Sequence, residues 1–196
     1  MALSSSDFSD FNTPNSFVML ASESIKPRGR VLDLGAGWGR HALWLEQQGF
    51  VVTAAEPNAE MVALMKTHRA ANEGTFEILE VSLTEIVVAR PFDAVVCTMV
   101  LTFIDGDKLP AAIDKLQQLV LPGGVVVISV NTTNSLDGNP RPHLFEPEEL
   151  RRYFASWEML IYDVAPSKWQ YKPGQNEPFN VENCYVVARK PLNMKQ

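Results

Sequence analysis

The stretch Val31-Leu32-Asp33-Leu34-Gly35-Ala36-Gly37-Trp38-Gly39-Arg40 decides how the chain is read. A short hydrophobic run ends in three glycines at alternate positions and gives way to residues of helical character. Glycine permits tight turning and a close approach of backbone to a ligand. The following helix, roughly Arg40 to Gln48, presents unpaired N–H groups and its positive dipole end to whatever lies above the strand, which suits a carboxylate or a phosphate. The loop is G-x-G-x-G preceded by Asp33, whereas the dinucleotide fingerprint is G-x-G-x-x-G, so the spacing argues against a nicotinamide site. Glu56, at the end of the next apolar run, follows Gly35 by 21 residues. That is close to the ~20-residue interval at which an acid meets ribose hydroxyls in nucleotide-binding α/β folds.

Outward from this loop, apolar runs too short for helices alternate with stretches of helical periodicity. Val31–Leu34, Val51–Ala55, Phe76–Val81, Asp93–Thr98 and Val125–Val130 read as strands, most of them almost continuously apolar. Such runs are expected where helices cover both faces of a parallel sheet. Met61, Leu64, Met65 and His68 form one helical stripe, and Leu109, Ala112, Ile113 and Leu116 form another. A third, Leu150, Tyr153, Phe154 and Trp157, follows Glu146-Pro147-Glu148-Glu149, where proline and acids suit a first helical turn, so the spacing predicts a helix from about Pro147. The alternation then breaks. Glu158–Val164 and Asn183–Arg189 are strand-like, but Pro166, Pro173 and Pro178 lie between them with no helical pattern, so the two strands are expected to pair antiparallel. The expectation is a mixed seven-stranded sheet.

Composition narrows the function. The 196 residues favour a single domain over 1–196, with residues 1–12 flexible. A net charge of −6 disfavours extended binding to nucleic acid or to an anionic membrane. No apolar run reaches the ~18 residues of a membrane span, and MALSSSDFSDF lacks the pattern of a signal peptide, so a soluble, cytoplasmic protein is expected. Cys97 and Cys184 sit in apolar strand-like contexts without a close-spaced partner and read as reduced core thiols; no metal site is expected.

Val31–Arg40, Glu56-Pro57, Phe92–Val96 and Leu121-Pro122-Gly123-Gly124 together resemble the class I S-adenosylmethionine-dependent methyltransferases, over about Phe17 to Lys190. Within that superfamily the chain is most similar to the tellurite-resistance methyltransferases, in Thr98–Ile104, Leu150–Phe154 with Trp157-Glu158, and Ala188-Arg189-Lys190. Members of that family carry a His-Arg pair a short way beyond the matched tryptophan; this chain has Trp169, Gln170 and Tyr171 there. The resemblance implies a Rossmann-like, doubly wound α/β sheet of seven strands ending in an antiparallel hairpin. It implies S-adenosylmethionine as cofactor, with Gly35, Ala36 and Gly37 lining its methionine part, Asp33 holding the loop, Glu56 on the ribose and Pro57 beside the adenine. Ser82 and Leu83 stand where many relatives place an Asp against the adenine amino group, and Thr98 would face the reactive end.

Methyl transfer from a sulfonium is an in-line displacement, so alignment is the main demand on the protein and supplies ~7–11 kcal/mol. A general base is needed only for a protonated nucleophile. His143, in the polar segment after the fifth strand, is the base candidate; His68 reads as half-buried structure and His41 as a cap, cofactor contact or surface residue. Arg40 is a candidate cofactor contact through its planar fork, and equally a tie between the first helix and a loop. Trp169 and Tyr171 are read either as an apolar lid or as packing against the sheet edge, and Thr13–Phe17 as a segment folding over the cofactor. The expected activity is methyl transfer to a small-molecule nucleophile, a chalcogen oxyanion or thiol. The alternatives are O- or N-methylation of a small metabolite, or a non-catalytic cofactor-binding module.

Overall fold

A computed structural model describes residues 13–135, 140–166 and 181–192. Along the chain lie α1 (Ser16–Ser22), β1 (Arg30–Leu34), α2 (Arg40–Gln47), β2 (Val51–Ala55), α3 (Ala59–Ala71), β3 (Glu77–Leu79), β4 (Phe92–Thr98), a 3-10 turn (Leu101–Phe103), α4 (Leu109–Gln118), β5 (Val120–Asn131), α5 (Glu149–Tyr153), β6 (Glu158–Pro166) and β7 (Glu182–Arg189). They form one seven-stranded sheet of order β3-β2-β1-β4-β5-β7-β6. The first five strands run parallel, and β7 enters antiparallel to both β5 and β6. This is the Rossmann-like mixed sheet with a reversed C-terminal hairpin that the sequence led us to expect. Strand order reverses between β1 and β4, the crevice where open α/β sheets bind ligands.

Helices cover both faces. On one, Val18 and Ala21 of α1, Ala42 and Leu45 of α2 and Met65 of α3 pack on Val31, Val52, Ala54, Ala94, Val96, Val125 and Val127. On the other, Leu109, Ala112, Ile113 and Leu116 of α4 join Leu150, Phe154 and Trp157 over Leu32, Val95, Cys97, Val126, Ile128 and Val130. Both cysteines are free and buried in this second layer.

Four local readings change. The α3 stripe is rotated: Val62 and Met65 are buried while Leu64 is 53% exposed, and Met65 packs against Gly39 of the glycine loop. The third strand is three residues long, and the helix expected from Pro147 begins at Glu149 and ends at Tyr153. Phe154 and Trp157 are buried past its end, stacked edge to face at 5.2 Å, so apolar periodicity outlasts the helix itself. The fifth strand begins at Val120, and a register shift opposite Phe92/Ala94 takes up Pro122-Gly123-Gly124 as a bulge. The expectations about residues 1–12, Trp169 and Tyr171 fall outside the described residues.

Candidate active site

The site grows from the carboxyl end of β1. The N–H groups of Gly35 and Ala36 both donate to the Ala55 carbonyl, at 2.8 and 3.0 Å, turning the chain sharply off the strand. Gly35 has φ +70°, and a Cβ there would lie 2.2 Å from Val100 Cγ2, so this position admits only glycine. Gly37 has φ +57°, and a Cβ there would meet nothing within 4 Å. The loop is thus braced from beneath at Gly35 and open at Gly37.

Two carboxylates flank it. Glu56, buried at the end of β2, accepts from the Gly37 N–H at 2.9 Å through Oε2 and from the Asn58 N–H at 3.0 Å through Oε1. Each oxygen keeps a second lone pair for a further donor. Asp33 is buried with neither oxygen hydrogen-bonded. Burial pushes its carboxyl up to about 7, partly offset by the nearby Ala42 N–H and the Arg40 guanidinium and reinforced by Glu56. The Ala42 N–H at the start of α2 lies near Asp33 without completing a hydrogen bond.

Arg40 is half-buried, its guanidinium 5.5 Å from the Trp38 ring centroid and electrostatically coupled to Asp33, which places it as a brace of the loop. His41 is not a surface residue. It is buried, its Nε2 accepts from the Asn15 N–H at 3.3 Å, and burial with the neighbouring Arg40 charge lowers its pKa to about 3. It is therefore neutral and ties α1 to α2. His68 Nδ1 lies 3.2 Å from the Trp38 carbonyl, the structural role expected for it.

Above the loop, Thr98 ends β4 opposite Ser129 of β5. Met99 takes φ +60°, uncommon for a non-glycine residue, and its N–H donates to the Ser129 carbonyl at 2.7 Å, folding Val100 onto Gly35. Pro57 is exposed beside Glu56. The Ser82 hydroxyl donates to Glu85 and keeps acceptor capacity on its oxygen, while Leu83 buries its side chain in the core of the opposite face and offers only its backbone. His143 lies on that opposite side: its Nε2 is 2.9 Å from Glu149 Oε1, its ring meets Phe145 edge to face, and its N–H donates to the Thr102 carbonyl at 3.3 Å. Gly106 approaches Nδ1, where a Cβ would come within 3.3 Å. The structure therefore gathers Asp33, Gly35, Ala36, Gly37, Arg40, Glu56 and Thr98, and sets His143 apart in a pair with Glu149.

A polar group that the sequence reading missed completes the face. Ser129, Asn131 and Asn183 are buried; Asn131 Nδ2 donates to Asn183 Oδ1 at 2.9 Å, and Asn183 Nδ2 donates to the Tyr185 hydroxyl at 3.1 Å. The available signal was polar side chains at alternate positions, Ser129 and Asn131, within an otherwise apolar strand.

An unpaired buried acid, an acid with open lone pairs and a glycine cradle fit a ligand carrying an ammonium group and vicinal hydroxyls, as S-adenosylmethionine does. Comparison with known proteins bears on the family and the fold. The tellurite resistance protein TehB family matches residues 6–169. A protein named "Probable S-adenosyl-L-methionine-dependent methyltransferase TehB", from Haemophilus influenzae, is 27% identical over 175 residues, covering 88% of this chain and 61% of the relative. "Hemagglutinin 1" of Eikenella corrodens is 26% identical over 181 residues, covering 91% and 60%. The crystal structure of TehB from Haemophilus influenzae superposes with a TM-score of 0.80 at 24% identity, covering 94% of this chain and 66% of that one. The chain thus spans 60% and 61% of the length of these two sequence relatives. No helix among the described residues is long and apolar enough to cross a membrane.

Proposed function

This chain belongs to the tellurite resistance protein TehB family, and from that premise we propose that it transfers a methyl group from S-adenosylmethionine to a small-molecule nucleophile. The observation that carries the proposal is the open cradle at Gly37 between the Asp33 and Glu56 carboxylates. When bound, the cofactor would supply an electrophilic methyl whose bond to sulfur breaks as an aligned nucleophile bonds to the methyl carbon, S-adenosylhomocysteine being the leaving group.

The protein's part is positioning. Glu56 accepts from ribose hydroxyls while its existing bonds to Gly37 and Asn58 keep it from turning away. Gly35, Ala36 and Gly37 offer backbone at close range, and Asp33 draws the cationic end of the ligand toward β1. Arg40 holds the loop and the first turn of α2. Pro57 and the backbone of Ser82 and Leu83 border the adenine, and Thr98 faces the acceptor. Alignment of this kind lowers a barrier by ~7–11 kcal/mol without any protonic step. A chalcogen oxyanion or a thiolate needs nothing more, because each arrives deprotonated.

A second reading, O- or N-methylation of a small metabolite, draws on one observation: Glu149 holds His143 at Nε2, which leaves Nδ1 as the proton acceptor. Calorimetry tests the cofactor assignment. S-adenosylmethionine is expected to bind one to one while NAD does not bind; the reverse preference would contradict it. A panel of tellurite, selenite, small thiols and phenols then separates the acceptor classes by product formation.

A further inference from the structure

Strand register sets out a row across one face of the sheet. Gly35 stands one step beyond Leu34 at the end of β1, Thr98 pairs with Ser129, and Ser129 pairs with Tyr185. One pleat further toward the carboxyl end of β5, Asn131 pairs with Asn183. Ser129 and Asn131 share a face with Val125 and Val127 because side chains alternate along a strand, and this is the face that carries Asp33 and Thr98. Neighbouring strands lie ~4.8 Å apart, so the row runs from the glycine loop at β1, past Thr98 at β4, to Ser129 at about 10 Å and Tyr185 at about 14 Å. That is the length of a small molecule whose reacting end sits at the loop.

The far half of this row is unfinished. Ser129 Oγ and Asn131 Oδ1 are buried and have no hydrogen-bond partner. Reversing the amides of Asn131 and Asn183 together exchanges donor for acceptor but leaves the same end of Asn131 unpaired. Two adjacent unpaired polar groups in a packed sheet are costly and rarely retained in a core whose only role is packing. Asp33 lies on this face with the Arg40 guanidinium beside it, and Glu182 accepts from the Thr132 hydroxyl. Ser129, Asn131, Asn183 and Tyr185 bring amide and hydroxyl groups and no cation of their own, so the row is matched to an uncharged group. The Tyr185 ring, 5.0 Å from that of Phe17 and tilted at 55°, adds an aromatic wall.

We infer that Ser129, Asn131, Asn183 and Tyr185 form a recognition subsite for the end of the acceptor remote from its nucleophile, and that this end is a neutral group presenting a donor and an acceptor side by side, of the primary-amide type, on a planar body. The inference rests on the methyltransferase reading and deepens it: the nucleophile is borne on an organic molecule. The unpaired atoms are buried, and α1 meets the neighbouring Tyr185 through Phe17. The acceptor reaches them when α1, which is seven residues long with two buried side chains and joined to α2 through the Asn15 N–H bond to His41, gives way.

The test uses the whole chain with S-adenosylhomocysteine present, so that binding is read without turnover. Calorimetry with 4-mercaptobenzamide is expected to show saturable binding, at least tenfold weaker in Ser129→Ala and in Asn131→Leu, with S-adenosylhomocysteine affinity unchanged within twofold. Tellurite is expected not to displace it. Removing an unpaired hydroxyl leaves the Tm of Ser129→Ala unchanged or raised by about 2–4 °C, which keeps the test informative if Asn131→Leu fails to fold. The inference is overturned if the amide fails to bind, binds equally to Ser129→Ala, or is displaced by tellurite. It is overturned too if a crystal structure shows only a fixed water joining Ser129 and Asn131, in a Ser129→Ala variant that loses stability. Failure of S-adenosylhomocysteine itself to bind removes the methyltransferase reading as well, and so distinguishes the two.

Discussion

The two faces of the sheet are built from the same strands and end differently. On the face under α4 and α5, β5 contributes Val126, Ile128 and Val130, all buried in one continuous apolar layer that runs to the strand end. On the face under α1, α2 and α3, the same strand reads Val125, Val127, Ser129 and Asn131, turning polar over its last two positions. The first face is organised for stability. The second gives up apolar burial near the crevice and leaves Asp33, Ser129 and Asn131 with unsatisfied polar atoms. Deficits of this kind are what a binding site retains and a packed core removes.

The largest expected effect breaks the second face alone. Gly37→Leu fills the open cradle and is expected to abolish S-adenosylmethionine binding in calorimetry, at a stability cost of only ~1–2 kcal/mol for the left-handed backbone. As a control, Cys97→Ala in the other layer is expected to lower stability in a denaturant titration while leaving cofactor affinity unchanged within twofold.

The next effect is visible in pH. Asp33 is raised from 3.8 to about 7, so the folded chain holds a proton that the unfolded chain releases, and this contribution to stability is lost as pH rises from about 4 to 7. His41 is lowered from 6.5 to about 3, so the unfolded chain takes up a proton that the folded chain refuses, and stability is lost as pH falls from 6.5 toward 3. Each contribution is on the order of 4 kcal/mol, and between about pH 4 and 6.5 they oppose one another. Urea unfolding of the parent is expected to be nearly flat across that window. Asp33→Asn should reveal a rise with pH and His41→Gln a fall; parallel profiles for all three proteins would refute the assignment.

Glu56→Gln keeps the shape and removes the charge. A hydrogen bond to a charged group contributes ~1.5–3 kcal/mol, so cofactor affinity is expected to fall at least about 10-fold by calorimetry, and the Tm to fall by a few degrees because the amide NH2 faces the backbone N–H of Gly37 or Asn58 that a carboxylate oxygen accepted from. The smallest effect lies off this face. Glu149→Gln removes the charge beside His143 Nε2 while leaving an oxygen to accept from it, and turnover of a protonated acceptor is expected to fall a few-fold with a displaced pH profile, while turnover of a thiolate stays as it was.

Much of the β1–β5 half of the fold was legible because each signal was local. Alternate glycines at 35, 37 and 39, an acid at 56, and near-continuous apolar strands each carry meaning within a few residues. The stripe Leu109, Ala112, Ile113, Leu116 was legible for the same reason, and all four side chains are buried. What escaped depends on partners far along the chain. His41 is buried because α1, 26 residues earlier, folds back to offer the Asn15 N–H. The polar row exists because β7 inserts between β5 and β6, bringing Asn183 to Asn131 across 52 residues. Leu64 misled because a leucine at helical spacing reads as core, whereas the orientation of α3 against the loop selects Val62 instead.

What the Gly37 cradle receives decides the function of this face. Isothermal titration of the full chain with S-adenosylmethionine, and separately with NAD, is predicted to show one-to-one binding of the sulfonium cofactor alone, lost in Gly37→Leu. Binding of NAD instead, or S-adenosylmethionine binding that survives Gly37→Leu unchanged, would contradict it.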